Sequence, residues 1–206
     1  MKALVVHCHP RPESFTAAVR DVVLARLSAA GAEVRLIDLY ARGFDPVLSA
    51  GAHAAYEDAG RNRAGIEGDV EALLWADTLI FVYPTWWYGP PAMLKGWLER
   101  TFVPGVAFHL PVHAGADIRP GLRHVRRLAV FTTCGASRLL TWWIGAPGRR
   151  TILRGLGLLC HPLCRKTFVA QYSMDTTPRV ALTRHLDRVA AAVDGMTGGT
   201  AGRGTA

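Results

Sequence analysis

Three short segments hold the side chains best suited to chemistry: His9-Pro-Arg-Pro-Glu-Ser-Phe-Thr16, Pro84-Thr-Trp-Trp-Tyr-Gly89 and Thr132-Thr-Cys-Gly-Ala136. In the first, Ser14 stands just before an apolar-periodic stretch and reads as a helix N-cap. The exposed N–H groups and positive end of such a helix favour an anion, a phosphate for instance. Simple capping is the alternative for Ser14 taken alone. In the second, Trp86, Trp87 and Tyr88 follow an apolar run directly. Three large aromatics there would wall a planar ligand or form a subunit interface. In the third, Thr132, Thr133, Cys134 and Gly135 carry small side chains that let backbone amides approach the edge of a flat ring. A phosphate, a flat ring system and its polar edge together make up a flavin. Neither G-x-G-x-x-G nor G-x-x-x-x-G-K-[ST] occurs, so a Rossmann fingerprint and a P-loop both lose support.

The elements that must position these segments follow from patterning. Short apolar runs alternate with helical stretches, as in parallel β-α-β units. Ala3-Leu-Val-Val-His7 predicts a strand buried on both faces. Phe15, Val19, Val22, Val23 and Leu27 recur at helical spacing within residues 14–30, ahead of Gly31. A second strand is expected at 33–39, then a long excursion at 40–65 with one short helix, and a helix at 66–75. A third strand follows at 78–83, a helix at 90–102, a fourth strand at 127–133, a fifth near 167–172 and a closing helix at 177–193. In such sheets ligands bind outside the carboxyl ends of the strands, where all three segments fall. The reading is one domain over residues 1–194, with a flexible Gly/Thr-rich tail at 195–206.

Composition narrows the classes. A chain of 206 residues that is 50% hydrophobic and 19% charged suits one globular core rather than disorder. Its longest charge-free window, residues 78–94, is interrupted by Pro84, Pro90 and Pro91, so stable membrane insertion is not expected. The apolar run at residues 3–6 is too short for a secretory signal, and the four cysteines read as reduced thiols, both pointing to the cytoplasm. The net charge is +8. No acid lies between Asp117 and Asp175, whereas Arg138, Arg149, Arg150 and seven other cations do. No helix-turn-helix, zinc-finger or RNP-like pattern accompanies this charge, so a phosphate-bearing small molecule is preferred to nucleic acid as its partner.

With these residues in view, the chain resembles the flavodoxin-like NAD(P)H:quinone oxidoreductases, the DT-diaphorase type and its bacterial relatives. The most specific stretch is Tyr83-Pro-Thr-Trp-Trp-Tyr-Gly-Pro-Pro-Ala-Met-Leu-Lys-Gly-Trp-Leu-Glu-Arg-Thr-Phe102, ahead of Gly105-Val-Ala-Phe108. The family's Ala-His-x5-Ser-Phe-Asn corresponds to Cys8-His9 and Ser14-Phe15-Thr16, and its Thr-Thr-Gly-Gly to Thr132-Thr-Cys-Gly135. The resemblance implies an α/β flavodoxin-like three-layer sandwich with a five-stranded parallel sheet of order 2-1-3-4-5. It implies a homodimer with the active site at its interface, and ping-pong two-electron transfer from NAD(P)H through a flavin to a quinone or similar flat acceptor. As flavin contacts it carries over His9, Ser14, Phe15 and Thr16 near the phosphate. At the ring it carries over Pro84, Thr85, Trp86, Trp87, Tyr88, Thr132, Thr133, Cys134 and Gly135, of which Trp87, Tyr88, Thr133, Cys134 and Gly135 would take the catalytic roles.

Some positions depart from that pattern. Leu140 and Ala146 stand where eukaryotic members place a Tyr and a His as proton relay. Cys134 replaces a glycine, either as an inert buried residue or as a thiol that tunes the ring. The excursion at 40–65 is shorter than in typical FAD-binding eukaryotic members though still long, and FAD is preferred to FMN; the arginine-rich segment favours NADPH over NADH as donor, with Arg149 and Arg150 as its candidate contacts. Two readings compete. His7, Cys8 and His9 with Cys160, His161 and Cys164 offer zinc ligands, though strand alternation and spacing argue against such a site and none is expected. An ancillary subunit of a membrane transport system is the other.

Overall fold

In a computed structural model, which describes residues 1–198 apart from 112, 114 and 116, the expected alternation is realised. The chain runs β1 (Lys2–His7), α1 (Phe15–Ala29), β2 (Glu33–Asp38), α2 (Ala50–Ala54), α3 (Glu67–Trp75), β3 (Thr78–Thr85) and α4 (Ala92–Thr101). It continues with β4 (Phe108–His109), β5 (Arg119–Pro120), β6 (Arg127–Cys134), α5 (Arg138–Trp143), α6 (Pro147–Arg150), β7 (Arg165–Gln171) and α7 (Arg179–Thr197). Five strands form one parallel sheet in the order β2-β1-β3-β6-β7, which is the 2-1-3-4-5 order anticipated for the five main strands.

Side chains alternate across this sheet, and both faces are covered. Leu4, Val6, Leu79, Phe81, Leu128 and Val130 join Leu73, Leu94 and Trp97 from α3 and α4. Ala3, Val5, Ile80, Val82, Ala129 and Phe131 pack against Val19, Val23, Val189 and Val193 from α1 and α7. Burial on both faces explains why the strands read as continuous apolar runs rather than as alternating ones.

Several boundaries differ from expectation. β3 extends through Pro84 and Thr85, and β6 through Cys134, because Pro84 pairs with Thr133 and Thr85 with Cys134. A proline is tolerated here because it sits at the end of the strand. α7 continues to Thr197, so Gly195 lies within the helix rather than in a tail; residues 199–206 lie outside the described residues. The small antiparallel ribbon β4–β5 and the helical segment from α5 to residue 158 were not anticipated. Among the described residues no helix is long and apolar enough to cross a membrane, and no group of three or more His, Cys, Asp or Glu could hold a metal.

Candidate functional site

The carboxyl ends of β1, β3 and β6 meet at one edge of the sheet and open into a cleft of about 590 Å³. Nine anticipated residues line it: His9, Pro84, Thr85, Trp86, Trp87, Tyr88, Thr133, Cys134 and Gly135. Ala136, the last residue of the third segment, also lines it, as do Met174 and Asp175, which sequence reasoning missed. Asp175 carried one signal, being the first acid after the long acid-free run. Its carboxylate approaches Gly135 closely: a Cβ there would stand 3.0 Å from Oδ2, so a side chain at 135 would push the Asp175 carboxylate aside.

The aromatic turn after β3 is the most constrained feature. Trp86 and Gly89 exchange two backbone hydrogen bonds, at 3.1 and 3.0 Å, closing a two-residue loop. Both residues between them lie in the left-handed region, Trp87 at φ 47° and Tyr88 at φ 60°. A loop of this type favours Asn-Gly, because a side chain at positive φ costs energy. Here two of the largest side chains occupy it. Trp87 is 95% exposed, so core packing does not account for the arrangement. The turn is held from behind by α6, where the Gly148 amide donates to the Tyr88 carbonyl at 2.9 Å. Strain of this kind gathers at functional sites.

Donors surround the cleft. Among the described residues the backbone N–H groups of Trp87, Tyr88, Gly135 and Ala136 make no hydrogen bond. Thr132, Thr133 and Cys134 were expected to supply loop amides, but they lie in β6, so the loop begins at Gly135. Thr132 faces away from the cleft into a narrow adjoining pocket lined also by Tyr83, Tyr88 and Cys134. Its hydroxyl pairs with that of Thr85 at 2.8 Å and ties β6 to β3. Cys134 is buried, with Sγ 3.8 Å from the Thr141 hydroxyl. His9 Nδ1 is held by the backbone of Arg11, 3.0 Å from its amide nitrogen and 3.1 Å from its carbonyl oxygen. Burial holds His9 below the usual histidine range, and its ring lies 6.3 Å from that of Trp86.

The remaining first-segment residues lie at the start of α1 and are not among the cleft-lining residues. Ser14 accepts the Ala17 amide on Oγ at 3.1 Å, as a cap should. Phe15 packs on His185 with centroids 5.8 Å apart. Thr16 is buried with its hydroxyl 3.3 Å from that of Thr133, joining α1 to β6. The amides of Phe15 and Thr16 make no hydrogen bond among the described residues, so the helix end retains donors for an anion. Under α1, buried His7 bonds Asp38 at 2.8 Å, and Asp38 also meets Arg20 at 3.3 Å. Burial pushes His7 below its ordinary range, partly offset by Asp38. The relay positions hold no proton carrier: Leu140 is 41% exposed, and Ala146 takes a left-handed conformation ahead of Pro147.

Comparison with known proteins agrees with this geometry. A family model described as having the flavodoxin-like fold matches residues 1–152. The ribosyldihydronicotinamide dehydrogenase [quinone] of Homo sapiens is 32% identical over 160 residues, covering 68% of this chain and 66% of that protein. The NAD(P)H dehydrogenase [quinone] 1 of Cavia porcellus is 34% identical over 124 residues, covering 52% of this chain and 45% of that protein. The chain thus spans two thirds or less of the length of these curated relatives. The solved structure of Smu.1420 from Streptococcus mutans UA159 superposes with a TM-score of 0.77 at 27% identity, covering 95% of this chain and 100% of that one.

Proposed function

Because the chain belongs to the family with the flavodoxin-like fold, we propose that it is a flavin-dependent NAD(P)H:quinone oxidoreductase acting on quinones or similar flat acceptors. The observation that carries this reading is the strained Trp87–Tyr88 turn facing the unbonded Gly135 and Ala136 amides across one cleft. An aromatic wall and a row of donors fit the apolar face and polar edge of an isoalloxazine, and the relatives' names accord with that use. A bound flavin would supply hydride acceptance and two-electron transfer, chemistry that no protein side chain here provides.

The chain's own part is to bind and position. The Phe15 and Thr16 amides would hold a phosphate at the positive end of α1. Trp86, Trp87 and Tyr88 would cover a ring and keep water from it. The Gly135 and Ala136 amides would donate to oxygen or nitrogen at the ring edge, where fixed dipoles stabilise growing negative charge without reorganising. Leu140 and Ala146 cannot relay a proton, which leaves that part to His9, Tyr88 and Asp175, titratable side chains of the cleft, or to solvent at its open mouth. We read the flavin as FAD and the donor as NADPH, the assembly as a homodimer and the location as cytoplasmic. The exposed apolar side chains of α5 outside any cleft, Leu139 and Trp143, supply a face for the second copy, and all four cysteines are free, as a reducing compartment requires. The transport-subunit alternative finds no support in these relatives.

The test is the visible spectrum of the purified protein before and after anaerobic NADPH, with released cofactor identified by chromatography and assembly by sedimentation. Flavin bands that bleach with NADPH and return with quinone are expected. A colourless protein that takes up no added flavin would overturn the proposal.

A further inference from the structure

A second cleft, of about 700 Å³, lies between α5, α6 and the outer strand β7, and Arg188 of α7 closes one side of it. Three guanidinium groups from three helices line it, those of Arg138, Arg149 and Arg188, beside Trp142, Phe168 and Tyr172. None of the three arginines makes an ion pair among the described residues. Two of them are held by neutral groups instead. Arg188 donates to Gln171 Oε1 at 3.2 Å and contacts His185 Nδ1 at 3.0 Å. Gln171 is turned the right way round for this because its amide nitrogen donates to the Tyr172 carbonyl at 2.9 Å and to the Thr177 hydroxyl at 3.1 Å. His185 is fully buried on α7. Arg149 lies over the Phe168 ring, 5.4 Å from its centroid. Like charges gathered in a concave site, oriented but not neutralised, repel one another unless an anion enters.

From this arrangement we propose that the cleft binds a phosphate monoester carried on an aromatic base. The arginines take the phosphate as bidentate donors, and Trp142, Phe168 and Tyr172 take the ring. Two sources offer this chemistry: the 2′-phosphate end of NADPH, which rests on the oxidoreductase reading, and a separate phosphorylated ligand, which does not. Arg150, the neighbour of Arg149, does not line the cleft; it lies instead against Gly145.

The probe is adenosine 2′-phosphate, titrated calorimetrically into the purified protein, with adenosine as the control. One probe per chain is expected, with adenosine much weaker. Arg149→Gln and Arg188→Gln should each weaken the probe about tenfold, while Arg184→Gln, on the same helix outside the cleft, should not. Thermal unfolding of each variant checks that it folds. Absence of probe binding, or equal binding by folded Arg149→Gln and Arg188→Gln proteins, would overturn the site. Where binding is seen, competition with NADPH assigns the phosphate to the dinucleotide, and lack of competition assigns it to a separate ligand. The titration needs neither flavin nor turnover, so a colourless protein that still binds the probe separates failure of the oxidoreductase reading from failure of this one.

Discussion

Replacing Trp87 by glycine tests whether the aromatic turn stores strain for the sake of a ligand. With φ at 47°, Trp87 occupies a region that costs an L-residue roughly 1–2 kcal/mol. Glycine removes that cost but returns roughly 0.5–1 kcal/mol through the greater freedom of its unfolded backbone. The side chain is 95% exposed, so its loss forfeits almost no buried surface. The balance predicts that Trp87→Gly stabilises the ligand-free protein by about 0.5–1 kcal/mol. For a chain of this size that raises Tm by roughly 1–4 °C. The same change removes one wall of the cleft and should weaken flavin binding about tenfold, since a stacked aromatic contributes around 0.5–1.5 kcal/mol beyond its buried area. Calorimetric melting of flavin-stripped protein and fluorimetric flavin titration measure the two effects independently. A stripped variant no more stable than the parent would refute the strain argument. Undiminished flavin affinity would refute its link to function.

Two further outcomes follow from particular contacts. His185 is fully buried, and burial, reinforced by Arg188, pushes it to about 4 from an ordinary value near 6.5. Folding therefore keeps it neutral, so stability falls as pH drops from about 6.5 toward 4, by at most about 3 kcal/mol. His185→Gln should flatten that part of a urea-denaturation pH profile, and an unchanged slope would show that other groups carry it. Gly148→Ala would set a Cβ 3.0 Å from the Tyr88 carbonyl oxygen and 3.1 Å from Gly89 Cα. It should destabilise by about 1–3 kcal/mol and weaken flavin binding as the turn shifts; chemical denaturation and flavin titration that match the parent would show that α6 does not hold the turn.

Much of this architecture was already legible in the chain. The runs at β1, β3 and β6 are apolar without interruption, a pattern that only strands buried on both faces tolerate, and helical spacing from Phe15 to Leu27 supplied the first crossover. The three loop segments could be assigned to one sheet edge because a parallel sheet brings strand ends together. By contrast, residues 138–158 gave no period. Trp142, Trp143 and Ile144 are exposed rather than core-facing, and Gly145, Pro147, Gly155 and Gly157 interrupt the pattern, so α5 and α6 could not be read.

What the linear order determined, then, is whatever depends on local propensity and burial period: the strands, the long helices, the Ser14 cap and the chemical character of the three loops. Tertiary structure decided what depends on meetings between distant segments. It brought Asp175 up to Gly135, set Gly148 behind Tyr88, and placed Trp87 and Tyr88 at positive φ, a conformation that their residue types disfavour. It also gathered Arg138, Arg149 and Arg188 from three helices into one cleft. Local sequence carries no signal for such encounters, because their energy comes from close packing and uncompensated charge that exist only once the sheet has assembled.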